Sequence, residues 1–202
     1  MQDIIGKSNC CGCSACENIC PRNAIIMVED ENGFKYPKIN YNECINCRLC
    51  ENVCPILNYK SETENLPNAY AAYNKDEKIR MQSSSGGIFT LIATEIIKKG
   101  GIVFGATFDK NFFVIHDKAE NIEGLEKFRS SKYMQSDLKK IFKEIKVFLE
   151  DDRFVLFTGT PCQIEGLKCF LRKDYNKLYT QDLICHGVPS KRVWEKYLKY
   201  RI

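Results

Sequence analysis

Eight cysteines near the start of the chain fall into two copies of one spacing. The first copy is Cys10-x2-Cys13-x2-Cys16-x3-Cys20-Pro21, and the second is Cys44-x2-Cys47-x2-Cys50-x3-Cys54-Pro55. Thiolates bind iron, and two intervening residues let the backbone curl so that three successive sulfurs face one four-iron cube. The fourth cysteine, after a wider gap, points away, and in chains holding two such cubes it ligates the other one. The spacing therefore predicts one 4Fe-4S centre on Cys10, Cys13, Cys16 and Cys54, and a second on Cys44, Cys47, Cys50 and Cys20. The proline after each fourth cysteine has no N–H, so it ends local helix and turns the chain aside.

Other uses of cysteine fit less well. Structural zinc favours pairs of ligands separated by one long gap, not two quartets each closed by proline. A disulfide framework needs an oxidising compartment, and residues 1–20 show no basic segment followed by an apolar stretch of signal-peptide length. No run reaches the ~18 apolar residues of a membrane span; the longest, Gly86 to Ile97, is interrupted by Glu95. The chain reads as cytoplasmic. Cys11, beside Cys10 but off the spacing, reads as a packed or hydrogen-bonding neighbour rather than a ligand.

A length of 202 residues suggests one large or two small domains. The formal charge of +4 counts every cysteine as neutral. Two clusters, each roughly −2 with its thiolates, bring the loaded protein near zero. Lysines are spread along the chain with no stripe interleaved with aromatics, so the composition gives no reason to expect nucleic acid.

The elements that must hold these cysteines are short. The repeat, offset by 34 residues, is flanked by apolar stretches at Ala24–Val28 and Ile56–Tyr59, expected as strands of a small β-α-β ferredoxin unit. Residues 29–40, with Asn32-Gly33 and Pro37, read as the connector. The expected division is a two-cluster domain over residues 1–60, a polar linker over 61–68 and an α/β domain over 69–202. The expected fold class is an α+β ferredoxin-like two-cluster module followed by an incomplete α/β domain.

In the second domain, strands are expected at Ala69–Tyr73, Ile102–Phe108, Phe112–His116, Phe154–Phe157 and Leu178–Cys185. Helices are expected at Ile88–Lys99 and at Asp137–Glu150, the latter with Asp137 as N-cap. The stretch from Lys191 starts a helix and stops without a cap, as a piece of a longer protein would.

Three places there could carry chemistry. Ser83-Ser84-Ser85-Gly86-Gly87 leads into a helix, where small residues and a helix N-terminus suit a phosphate, with Thr90 one turn in. Ser131-Lys132-Tyr133 offers a cation and hydroxyls. The strand ending at Phe157 runs into Thr158-Gly159-Thr160-Pro161-Cys162-Gln163, where Pro161 suits the first helical position. Cys162 then lies at a helix N-terminus, which stabilises a thiolate. Cys162 and Cys185 both sit at carboxyl ends of strands, the ligand-binding edge of open α/β sheets, where they could share a further cluster or line a flavin pocket. His186 beside Cys185 is a candidate proton carrier; Cys169 and His116 read as structural.

The order of these pieces, a two-cluster module, SSSGGIFT, FRSSKYMQS, TGTPCQIEGL and QDLICHGVPS, resembles the beta subunits of coenzyme F420-dependent hydrogenases and dehydrogenases. That resemblance implies FAD, held near Ser85, Gly86, Gly87, Thr90, Ser131, Lys132, Tyr133, Thr160, Pro161, Cys162, Gln163 and Cys185. It also implies electron transfer between iron–sulfur centres and a small-molecule acceptor or donor such as a deazaflavin coenzyme, and a redox partner protein. Family members continue well beyond Trp194. The expected function is an iron–sulfur flavoprotein oxidoreductase, with FAD pairing single electrons; the alternative is a non-catalytic electron carrier or docking subunit that uses only its clusters. No catalytic residue is singled out.

Overall fold

The computed structural model describes residues 4–58 and 67–201. In the cysteine-rich part, α1 (Ala15–Ile19) leads to a hairpin of β1 (Ile25–Glu29) and β2 (Lys35–Ile39), and α2 (Leu49–Asn52) follows. The hairpin is antiparallel, with Met27 opposite Pro37. Its turn runs through Asn32 and Gly33, the latter at φ +84°, and Asp30 Oδ1 accepts the N–H groups of Asn32 (2.9 Å) and Phe34 (3.0 Å). Strand β2 thus occupies the stretch expected to be only a connector, because an Asn-Gly turn between alternating residues makes a hairpin. Pro37 is tolerated since β2 has a neighbour on one side only. The strand expected at Ile56–Tyr59 is a turn through Asn58, and Tyr59 lies outside the described residues, as does most of the 61–68 linker.

The repeat extends to the backbone. Gly12 and Ser14 flank the middle cysteine of the first copy at φ +66° and +61°, and Asn46 and Arg48 flank that of the second at +55° and +58°. Alternating left-handed residues bend each loop around its cysteines.

The remainder comprises α3 (Glu77–Met81), α4 (Ile88–Lys98), β3 (Ile102–Phe108), β4 (Val114–Ala119), a 3-10 turn (Glu123–Phe128), α5 (Ile141–Glu150), β5 (Val155–Gly159), α6 (Pro161–Leu171), β6 (Leu178–Asp182) and α7 (Lys191–Arg201). The sheet order is β4-β3-β5-β6. Strands β3, β5 and β6 run parallel, and β4 is antiparallel at the edge. Alternation along the central strands divides the core in two. Ile102, Phe104, Val155 and Phe157 face α5 and α6, while Val103 and Leu156 face α4 and the 3-10 turn. Cys13, Ala15 and Val53 belong to the α5–α6 core, so the cysteine-rich part and the sheet share one hydrophobic interior. Lys35 Nζ pairs with Asp137 Oδ2 at 2.7 Å, and buried Asn18 donates to Lys139 O at 2.8 Å, adding polar ties across the same junction.

Three expected elements differ. Ala69–Tyr73 is exposed and forms no strand; Asn74 N–H instead donates to Gly86 O at 2.7 Å. Helix α5 starts at Ile141, not at Asp137, because the backbone of Asp137 bonds His116 N–H and Val114 O beside β4. Strand β6 ends at Asp182, so Cys185 lies in the following loop.

Candidate functional site

Two open cavities of similar size lie in the cysteine-rich part. One, of about 440 Å³, is lined by Cys20, Cys44, Cys47 and Cys50 together with Ile25, Ile39 and Leu49. The other, of about 360 Å³, is lined by Cys10, Cys11, Cys13, Cys16 and Cys54 with Met27, Pro37 and Ile56. Each wall carries three cysteines of one repeat and the fourth of the other. Among the described residues no group of three or more His, Cys, Asp or Glu side chains closes around a point as a single ion requires; the cysteines stand around cavity walls instead. Burial pushes the Cys16 thiol up to about 12, and the neighbouring Cys10, Cys50 and Cys54 add to the shift. Burial raises Cys10 and Cys50 as well. Cys20 Sγ accepts the Ala24 N–H at 3.2 Å, a bond that suits a thiolate.

Helix α6 lies over the second cavity. Gly166 faces Cys13, Cys162 one turn earlier contacts Cys11, and Cys169 one turn later is close enough to Cys54 to feel its charge. Spacings of four and three residues put these positions on one helix face. The Cys162 thiol also meets Thr160 Oγ1 at 3.2 Å. Its hydrogen bond with Cys11, followed by burial, pushes the Cys162 thiol upward, so the expected thiolate at this helix N-terminus is overridden. Cys11, held chiefly by its bond with Cys13, is pushed up to about 12. The Cys11 position was legible as a hydrogen-bonding neighbour; its partner 151 positions away was not.

A buried polar chain supports the start of α6. His116 Nε2 lies 2.9 Å from Thr158 O, which only accepts, so Nε2 carries the proton. Nδ1 then accepts from Ser136 Oγ at 2.8 Å, and Ser136 Oγ accepts from Gln163 Nε2 at 2.8 Å. Gln163 Oε1 completes the chain by accepting the Thr160 N–H at 3.0 Å. Burial lowers His116 to about 4, so it is neutral near pH 7. The structural role expected for His116 is what the structure shows, but Ser136 and the link to Gln163 carried no sequence signal.

The two serine-rich stretches are brought together. Ser131 N–H donates to Ser84 Oγ at 2.8 Å, and Ser130 Oγ to Gln82 O at 3.3 Å. Arg129, which the motif contained but which was not singled out, bonds Gln82 Oε1 at 2.5 Å and Thr90 Oγ1 at 3.4 Å. Thr90 is buried and Tyr133 exposed. Lys132 does not offer its ammonium outward: Nζ donates to the carbonyls of Lys127, Arg129 and Ser130, and burial lowers it to about 8. A Cβ on Gly86 would meet Ala72 O at 2.9 Å, so the approach this glycine allows is taken up by the chain itself. Ser85 and Pro161 are exposed. Cys185 Sγ accepts the Gly187 N–H at 3.4 Å and His186 is exposed; the thiol that meets Cys162 is Cys11, not Cys185, which removes the geometric basis for a cluster shared by Cys162 and Cys185.

Comparisons with known proteins agree with this arrangement. Residues 9–57 match a family model described as a 4Fe-4S dicluster domain. Residues 152–201 match one described as the C terminus of the coenzyme F420 hydrogenase/dehydrogenase beta subunit. No curated protein matches. Among solved structures, a chain of the F420-reducing NiFe hydrogenase complex from Methanosarcina barkeri is similar in fold, with a TM-score of 0.52 and 22% identity over 64% of this chain. The match covers 49% of that chain, about half its length. No helix among the described residues is long and apolar enough to cross a membrane. By these findings the chain is iron–sulfur in type and similar to the beta subunits of the coenzyme F420 hydrogenase/dehydrogenase family.

Proposed function

We propose that this chain, beta-subunit-like at both ends of its sequence, is the electron-transfer part of an iron–sulfur oxidoreductase. Cys10, Cys13, Cys16 and Cys54 hold one 4Fe-4S cluster, and Cys44, Cys47, Cys50 and Cys20 hold the other. The observation that carries this reading is the lining of the two cavities, each with three cysteines from one repeat and the fourth from the other. Cavity walls with spaced cysteines fit a polynuclear group better than one zinc ion, whose thiolates stand about 2.3 Å from the metal. The clusters supply one-electron chemistry when bound. The chain's part is to fix their ligands, exclude water with Ile25, Ile39, Met27 and Ile56, and join them to the sheet through α6.

On the same reading, FAD lies near the Ser83–Gly87 and Arg129–Tyr133 stretches and the Thr160–Gln163 turn, and a soluble two-electron acceptor such as a deazaflavin coenzyme reacts there. A redox partner protein meets the cluster end. What supports it is the convergence of Ser84, Ser131, Arg129 and Thr90. The inward Lys132 and the filled approach at Gly86 favour the second reading, an electron carrier or docking subunit with no flavin of its own. Iron, acid-labile sulfide and flavin content of anaerobically purified protein separates the two. Both readings require eight irons per chain, two clusters of four; the first also requires flavin. Protein without iron and sulfide contradicts both.

A further inference from the structure

Four sulfur and oxygen atoms line up from the second cavity to the start of α6. Cys13 and Cys11 are in side-chain contact, Cys11 and Cys162 are in side-chain contact, and Thr160 Oγ1 lies 3.2 Å from Cys162 Sγ. Cys11 and Cys162 come from distant parts of the chain, and neither belongs to the spaced quartets. The Gly166–Cys13 contact one turn along α6 keeps the two backbones close, the condition a disulfide needs. If Cys13 is committed to iron, which rests on the reading above, Cys162 is the thiol left for Cys11.

We propose that Cys11 and Cys162 are a redox-active dithiol that closes to a disulfide, stapling the cysteine-rich loop to the N-terminus of α6 when the protein meets a small-molecule disulfide oxidant. The step balances as thiol–disulfide exchange. One thiolate of the pair attacks the oxidant's S–S bond and forms a mixed disulfide, and the second displaces the oxidant's remaining half. One S–S bond forms and one breaks; the protein gives up two electrons and two protons, and the oxidant leaves as two thiols. The closed form fixes α6 against the loop that carries Cys10 and Cys13; the open form leaves that contact to packing alone.

The test uses full-chain protein whose iron and sulfide have been assayed beforehand. It is treated anaerobically with oxidised glutathione, quenched in acid, alkylated and digested without reduction. The expected product is one Cys11–Cys162 cross-linked peptide per chain, reversed by dithiothreitol, with the iron absorbance unchanged. Cys162→Ser should leave Cys11 as a glutathione adduct or a free thiol. Alkylation of both Cys11 and Cys162 after treatment, with iron retained, overturns the proposal. If the sample proves to lack iron, the cluster reading fails separately, and the pair is judged by the same peptides: a dominant Cys11–Cys162 link upholds it, and a Cys11–Cys13 link or a scrambled set overturns it.

Discussion

Gly166 exists for Cys13: a Cβ at position 166 would fall 2.9 Å from Cys13 Cβ and 3.0 Å from Cys13 Sγ. In a helix interior, glycine to alanine ordinarily gains about 1 kcal/mol. Here overpacking against the cysteine loop costs about 1–3 kcal/mol and opposes that gain. Gly166→Ala is therefore expected to lower Tm, or at best leave it unchanged, and to reduce iron retention in the cluster assigned to Cys13. Thermal unfolding and iron assays check this, and a stabilised variant with full iron would contradict the packing relationship.

The two left-handed positions that are equivalent in the repeat should respond differently. Gly12→Ala puts a Cβ at φ +66°, 3.2 Å from Lys35 O, and is expected to cost about 1–2 kcal/mol. Asn46→Gly at φ +55° relieves a mild strain and should be neutral within about 0.5 kcal/mol. Denaturant midpoints of the two variants measure the difference.

His116 gives the fold a pH dependence. Its folded value near 4 lies below the ordinary 6.5, so the unfolded chain binds the proton first. Stability is complete above about pH 6.5 and declines as pH falls toward 4, by about 3 kcal/mol if the full depression is realised. Between pH 7.5 and 5.5 the loss attributable to this group is about 1.4 kcal/mol. His116→Gln should flatten that slope while lowering stability at pH 7, because Ser136 and Thr158 lose their partner. Urea midpoints across this range test it; equal slopes for both proteins would remove His116 from the account.

Arg129 ties two stretches together through Gln82 and Thr90. If flavin is held there, Arg129→Leu should lower flavin content by about tenfold, one lost charge-assisted contact or two, with iron content unchanged. Flavin fluorescence after acid extraction reads the ratio, and parallel loss of iron would indicate general unfolding instead.

Much of this was legible because it is written locally. Cysteine spacing, Asn32-Gly33, and the alternation through β3 and β5 each act within a few residues. The β2 strand escaped because a short polar run with Pro37 resembles a loop until β1 is beside it. Asp137 looked like an N-cap, but tertiary pairing with Val114 and His116 claimed its backbone first. The Cys11–Cys162 contact and the chain from His116 through Ser136 to Gln163 join distant segments, and no local pattern marks them.

The exchange of fourth cysteines between repeats is tested most directly by removing one. In iron-loaded Cys54→Ser protein, brief alkylation should modify Cys10, Cys13 and Cys16 while Cys20, Cys44, Cys47 and Cys50 stay protected. Modification of Cys44, Cys47 and Cys50 instead would show that each repeat keeps its own fourth ligand, contrary to this account.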